Sequence, residues 1–154
     1  MRIPKKIRAV CLVLMAALLG LFGLSACANN GSADSGEKVL RIGVVGPETG
    51  GSAQLGQGQH NAVQLAVDEI NEGKLAGDWT LEVYFEDDEG NPTDSSSATN
   101  KLIQENGCSV IIGSINSSAT LADMVVTQRA GVIQITAGST GASITEQGNE
   151  WIFR

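Results

Sequence analysis

Polarity along the chain changes three times. Residues 9–24 carry no charge and are rich in Leu, Val and Ala, and residues 28–37 carry no large apolar side chain. From Val39 onward, short β-rich apolar runs alternate with stretches of helical periodicity. The alternation predicts a strand at 39–45, a glycine-rich loop at 46–58 and a helix over about 59–71. A strand at 79–85, a turn at Gly90-Asn91-Pro92 and a helix to about Asn106 follow. The pattern then gives a strand at 109–112, a helix at 117–130, a strand at 132–135 and the start of another at 151–153.

The helices are read from apolar stripes. Val63, Ala66, Val67 and Ile70 stand at i, i+3, i+4 and i+7 in the first. Ala98, Leu102 and Ile103 face inward in the second, with Gly107 as its stop. Leu121, Met124, Val125 and Gln128 share one side of the third. Strands and helices in strict alternation argue for right-handed βαβ units, so the expected class is α/β, a Rossmann-like parallel sheet with helices on both faces. Runs such as Val110-Ile111-Ile112 are almost wholly apolar, as strands covered on both sides should be. A domain that stopped at Arg154 would leave strands and helices unpaired, so the folded region 39–154 is expected to be part of a larger lobe.

The first 38 residues read differently. Arg2, Lys5, Lys6 and Arg8 precede the sixteen uncharged residues 9–24. That length is short of the ~20 residues a membrane span needs and fits the apolar core of an export signal. The run ends in Leu24-Ser25-Ala26-Cys27, which resembles the lipobox read by lipoprotein signal peptidase. The resemblance implies a signal peptide over 1–26, lipidation at Cys27, and anchoring through two or three acyl chains at the outer face of the cell membrane. Residues 27–38 then form a flexible tether, too polar to offset the entropy of ordering.

Charge narrows the partners. Four of the ten basic residues lie in the leader, leaving six against seventeen acidic ones, or about −11 for the mature chain. Such a surface repels phosphate backbones, which argues against nucleic acid as a partner and leaves the lipid anchor as the membrane contact. Cys11 leaves with the signal peptide and Cys27 is acylated, so Cys108 remains. At the head of an apolar run it reads as a buried, inert thiol.

In an open parallel sheet, ligands bind outside the carboxyl ends of the strands. That rule selects the loops 46–58, 86–92, 113–118 and 136–142. Gly113-Ser-Ile-Asn-Ser-Ser118 opens a helix, with Ser117 or Ser118 as its cap. Free backbone N–H groups there, with the helix dipole, suit a carboxylate, and the Ser117 hydroxyl would add to them. Thr136-Ala-Gly-Ser-Thr-Gly141 offers more hydroxyls at the same edge. The glycines after the first strand match neither G-x-G-x-x-G nor G-x-x-x-x-G-K-[ST], so they read as a tight path and not a nucleotide site. Asp87, Asp88 and Glu89 miss the calcium-loop spacing and read as a solvated strand end. His60, alone in the sequence, reads as a surface residue in a helix's first turn and supports neither a metal site nor a catalytic triad. No cofactor is implied.

Five segments together resemble a family. These are residues 39–51 (Val-Leu-Arg-Ile-Gly-Val-Val-Gly-Pro-Glu-Thr-Gly-Gly), 61–71, Glu86–Pro92, Val110–Ser114 and Trp151–Arg154. In this order and spacing they are similar to the opening of the branched-chain amino-acid type periplasmic binding proteins, the receptor subunits of ABC importers. The resemblance implies a two-lobe (type I) fold that closes on its ligand, of which residues 39–154 are part of the first lobe. It also implies an amino acid or similar small polar molecule as ligand and membrane permease subunits as partners. Ser117 matches the serine that binds the ligand carboxylate, with Ser118 beside it. Gly138 matches a position whose carbonyl faces the ammonium, and Thr140, with Ser139 beside it, matches the threonine that contacts both groups. Leu55 stands where an aromatic residue usually walls the pocket, a departure from the branched-chain pattern. Asn116 and Gly90 stand where some members place a disulfide, so that bridge is absent. A sensor of the same fold is the alternative to a transporter. An exported enzyme is disfavoured, because no nucleophile–base pair or metal constellation is present in this stretch.

Overall fold

The computed structural model describes residues 38–154. The signal peptide, the lipidation at Cys27 and the tether up to residue 37 lie outside the described residues.

Five parallel strands form one sheet in the order β2-β1-β3-β4-β5. β1 (Lys38–Gly46) leads to α1 (Ala53–Glu72), β2 (Trp79–Asp87) and α2 (Pro92–Gln104). β3 (Val110–Ile112), α3 (Ser117–Ala130), β4 (Ile133–Ile135), α4 (Ser143–Glu146) and β5 (Ile152–Phe153) complete the chain. The parallel α/β class is as the alternating pattern predicts, and α3 begins and ends where its periodicity does.

Local chemistry sets the boundaries. Asn91 caps α2, its side-chain oxygen accepting from the amides of Thr93 at 2.8 Å and Asp94 at 3.1 Å. Pro92 then occupies the first turn, where no intrahelical donor is required. Gly131 ends α3 in the left-handed conformation, φ 66°. Two expectations fail. The glycine-rich loop is shorter than predicted, because α1 begins at Ala53 and takes in Gly56 and Gly58. The short helix α4 was not anticipated.

Side chains on one face of the sheet make the main core. Val45 and Ile111 pack with Ala98 and Leu102 of α2, Cys108 and Val132, with Ile103 and Tyr84 at the margin. Met124 of α3, Ile144 of α4 and Ile152 of β5 form a second cluster. α3 departs from its predicted stripe: Val125 and Gln128 are exposed, whereas Thr120, Asp123, Met124 and Thr127 are buried. In α1, Val67 is buried but Ala66 is exposed.

The other face is half bare. Helices do lie on both faces, but only α1 lies on the second, against β1 and β2. Right-handed crossovers explain this. Stepping β2→β3, β3→β4 and β4→β5 moves the same way across the sheet and puts α2, α3 and α4 on one face. Only the reverse step β1→β2 puts a helix on the other. Among the described residues no helix covers the second face of β3 and β4, and there Ile133 is 36 % exposed and Ile135 43 %. No helix among the described residues is long and apolar enough to cross a membrane.

Candidate functional site

The carboxyl ends of β1 to β4 open at one edge, and their loops are tied together by hydrogen bonds. After β1, the chain passes Pro47 and reaches α1 through a tight loop held by Asp87 at the end of β2. Asp87 accepts from the amides of Glu48 at 2.8 Å and Glu89 at 2.9 Å, and from the Thr49 hydroxyl at 2.7 Å. Burial alone would raise the Asp87 carboxyl, but these hydrogen bonds outweigh it and hold it below its ordinary value. The acidic strand end is thus a clamp as well as a turn. Its second carboxylate, Asp88, is wholly buried, which corrects the reading of a solvated cluster.

His60 also departs from expectation. Because α1 starts at Ala53, the residue lies beyond the first turn and only partly in solvent. Its ring stacks on Phe85 with centroids 3.6 Å apart, and Nδ1 lies 2.6 Å from Glu48 Oε1. The stack and the Glu48 contact brace the β1 loop against α1.

The loop 113–116 is shaped from within. Gly113 has φ +128°, and a Cβ there would lie 1.9 Å from the Val45 carbonyl oxygen, so only glycine fits so close to β1. The Ser114 carbonyl accepts from the hydroxyls of Thr120 at 3.1 Å, Thr136 at 2.6 Å and Ser139 at 3.1 Å. Asn116, not Ser117 or Ser118, is the N-cap of α3, and its side chain makes no capping bond. Its amide instead donates to the Gly90 carbonyl at 3.5 Å, joining the two loops where the family resemblance marks a missing disulfide.

The sequence-derived residues fall into two groups. Ser117, Gly138 and Thr140 come together: the Ser117 hydroxyl accepts from the Gly141 amide at 3.1 Å, which draws the 136–142 loop onto the start of α3. That bond leaves the hydroxyl hydrogen of Ser117 to donate elsewhere. A Cβ at Gly138 would lie 2.9 Å from Ile115 Cδ1, so this loop approaches as closely as glycine allows. The Thr140 carbonyl accepts from Arg154 at 2.9 Å. Ser139 is turned inward, its hydroxyl held by Thr120 at 2.6 Å and by the Ser114 and Ile115 carbonyls. Ser118 is exposed on the first turn of α3.

Leu55 is 62 % exposed and heads an apolar pocket of about 400 Å³ with Val63 of α1, Ile112, Ile115 and Gly138. The arrangement is one small-residue, hydroxyl-bearing edge beside an apolar wall. Free helix amides and hydroxyls at such an edge can hold an anion, and the wall can receive an apolar group. Among the described residues no cluster of three or more His, Cys, Asp and Glu side chains could hold a metal ion.

Reading apolar stripes missed the polar interior of the site: Asp88, Ser95, Ser114, Thr120, Asp123 and Thr136. The available signal was Thr120, Asp123 and Thr127, a polar set at helical spacing on α3.

Comparison with known proteins places this geometry. Residues 39–154 match the periplasmic binding protein family. An amino acid binding protein of Pseudomonas aeruginosa is 31 % identical over 73 % of this chain and 30 % of its own length. A Leu/Ile/Val-binding protein of Rhizobium johnstonii is 32 % identical over 75 % of this chain and 31 % of its own. Among solved structures, the branched-chain amino acid transporter substrate-binding protein of Streptococcus pneumoniae, in complex with isoleucine, superposes with TM-score 0.69 at 31 % identity. That match covers 75 % of this chain and 33 % of the other. A solute-binding protein of an ABC transporter from Rhodopseudomonas palustris, in complex with 3,4-dihydroxybenzoic acid, gives TM-score 0.66 at 28 % identity, over 75 % of this chain and 31 % of the other. The chain spans about a third of the length of the curated relatives it matches. With the fold, the edge loops and these matches together, the chain belongs to the periplasmic binding protein family.

Proposed function

We propose that this chain is the opening part of the first lobe of an extracytoplasmic receptor, anchored through Cys27. In this reading it captures a small carboxylate ligand, an amino acid or a close analogue, and delivers it to the permease of an ABC importer. The observation that carries the reading is the junction of Ser117 at the start of α3 with the Gly138–Gly141 loop, Ser117 Oγ accepting from the Gly141 amide at 3.1 Å. There the α3 amides and the Ser117 hydroxyl suit a carboxylate, and the Gly138 carbonyl and the Thr140 hydroxyl suit an ammonium.

The relatives support the carboxylate in particular. The isoleucine and 3,4-dihydroxybenzoic acid bound by two of them share that group and little else. The apolar wall of Leu55, Ile112 and Ile115 supports an apolar portion on the ligand. A second lobe closing over this edge would drive capture, by contacts made only in the closed state.

The test is isothermal calorimetry on the full-length receptor. Ser117→Ala and Thr140→Ala should each weaken binding of the cognate ligand by ~1–3 kcal/mol, the cost of leaving a charged group short of a partner. Unchanged affinity in both variants would rule out this assignment of the site.

A further inference from the structure

Behind the edge loops lies a buried arrangement that hydrogen counting does not allow to be fully ionised. Asp88, Ser95, Ser114, Thr99 and Asp123 all have no solvent exposure. Ser95 Oγ lies 3.0 Å from Asp88 Oδ2 and 2.9 Å from Asp123 Oδ2. A serine hydroxyl has one hydrogen, and an ionised carboxylate has none to give. If both carboxylates were charged, one of these contacts would set bare lone pairs against each other. Among the described residues no ion pair reaches either carboxylate.

The surroundings say which acid is neutral. Asp88 accepts from the Gly90 amide at 2.8 Å and from the hydroxyls of Ser95 and Ser114. Those donors suit a negative charge. Asp123 Oδ1 is buried without a hydrogen-bond partner. Burial pushes the Asp123 carboxyl up to about 7 against hydrogen bonding from Ser95, Thr99 and the Ser114 amide, and the nearby Asp88 charge adds to the rise.

We propose that Asp123 holds a buried proton, donated to Ser95 and relayed by the Ser95 hydroxyl to the Asp88 carboxylate, and that this proton fixes the 113–118 loop. Ser114 carries the coupling. Its hydroxyl donates to Asp88, while its carbonyl gathers Thr120, Thr136 and Ser139 from the adjoining helix and loop. Asp123 is therefore a positioning residue for the edge described above, and its link to ligand capture rests on the reading in Proposed function.

Asp88 is the titratable group that faces Asp123; α2 contributes Ser95 and Thr99, and β3 leads to Ser114. β4 meets α3 through Gln134 and Thr127, and α4 and β5 meet it through Ile144 and Ile152, none of which titrates. Ionisation of Asp123 removes its donation to Ser95 and leaves two buried carboxylates sharing one serine hydrogen, so their repulsion falls on the groups that join them, Ser95 and the Ser114 loop.

The test compares the wild type with Asp123→Asn, whose amide can donate to Ser95 as the protonated acid does. Infrared difference spectra of the unliganded protein from about pH 5 to about pH 9 should show a protonated-carboxyl stretch that disappears through neutrality and is missing in Asp123→Asn. Protection of the amides of residues 114–117, corrected for the intrinsic rise of exchange with pH, should fall over the same range in the wild type and stay level in the variant. If the variant does not fold, the wild-type spectrum with carbon-13 aspartate decides. Absence of a protonated aspartate at about pH 6, or protection that follows pH alike in both proteins, would overturn the proposal. Neither readout involves ligand, so failure of the calorimetric test above would leave this result standing.

Discussion

Two glycines of α1, two residues apart, offer a test of how the helix seats on the β1 loop. Gly56 is buried, and a Cβ built on it would lie 1.9 Å from the Pro47 carbonyl oxygen, 2.5 Å from Pro47 C and 2.9 Å from Pro47 N. These are backbone atoms and cannot swing aside as a side chain can. Asp87 also pins the residues just after Pro47 through the amides of Glu48 and Thr49. Gly58 is exposed, and a Cβ there would meet nothing within 4 Å.

Replacing either by Ala removes the same backbone freedom from the unfolded chain and brings up to ~1 kcal/mol of helix propensity. Gly58→Ala should keep that gain. Gly56→Ala must also open the Pro47 contact by more than an ångström, and overpacking of this kind costs ~1–3 kcal/mol or more. Because both variants share that gain, they should differ by the overpacking cost itself, ~1–3 kcal/mol or more, with Gly58→Ala the more stable. Urea denaturation followed by circular dichroism, with unchanged slope, measures this directly. If the two midpoints coincide, or Gly56→Ala is the more stable, the packing of α1 on Pro47 is not as described.

Further outcomes follow from burial, titration and the leader. Cys108 is 3 % exposed and burial pushes its thiol up to about 11, so iodoacetamide at neutral pH should label it only after denaturation; labelling in the native protein at the rate of a free thiol would contradict its burial. Asp123 sits at about 7 when folded against 3.8 as the ordinary value, so the folded state binds the extra proton between them. Its stabilising contribution is then full below the unfolded value and lost as pH rises through the folded one, which Asp123→Asn should remove from the unfolding profile. A wild-type profile that matches the variant's would contradict the raised value. Cys27→Ala should abolish palmitate incorporation and move the protein from the membrane to the soluble fraction, and labelling that persists would refute the anchor.

Much of the architecture was legible in sequence because it depends on local periodicity. The β1, β3 and β4 runs and α3 are set by apolar spacing and by Gly131, and the edge loops by the general rule for parallel sheets. Ser117 and the 136–142 loop could be singled out for the same reason, since both follow strands at that edge, whereas the roles of Gly138 and Thr140 rest on the family resemblance. What failed depends on contacts between distant residues. α1 runs through Gly56 and Gly58 because close approach to Pro47 and not a turn requires the first of them. His60 was assigned to the surface because nothing nearby in sequence announces Phe85 or Glu48. Asp88 reads as part of a solvated strand end, and the Asp123 stripe of Asp and Thr as a wet helix face, until three elements close around them.

The sequence by itself determined the class of fold and, α4 apart, the order of its elements, because hydrophobic period and turn chemistry act over a few residues. Tertiary structure alone decided which side of each strand is covered and which polar groups are removed from water. Crossover handedness puts α2 and α3 on one face and seals Gln134 and Asp123 inside it, which no local pattern announces. Burial is a property of the assembled chain, and a buried carboxylate must find either partners or a proton.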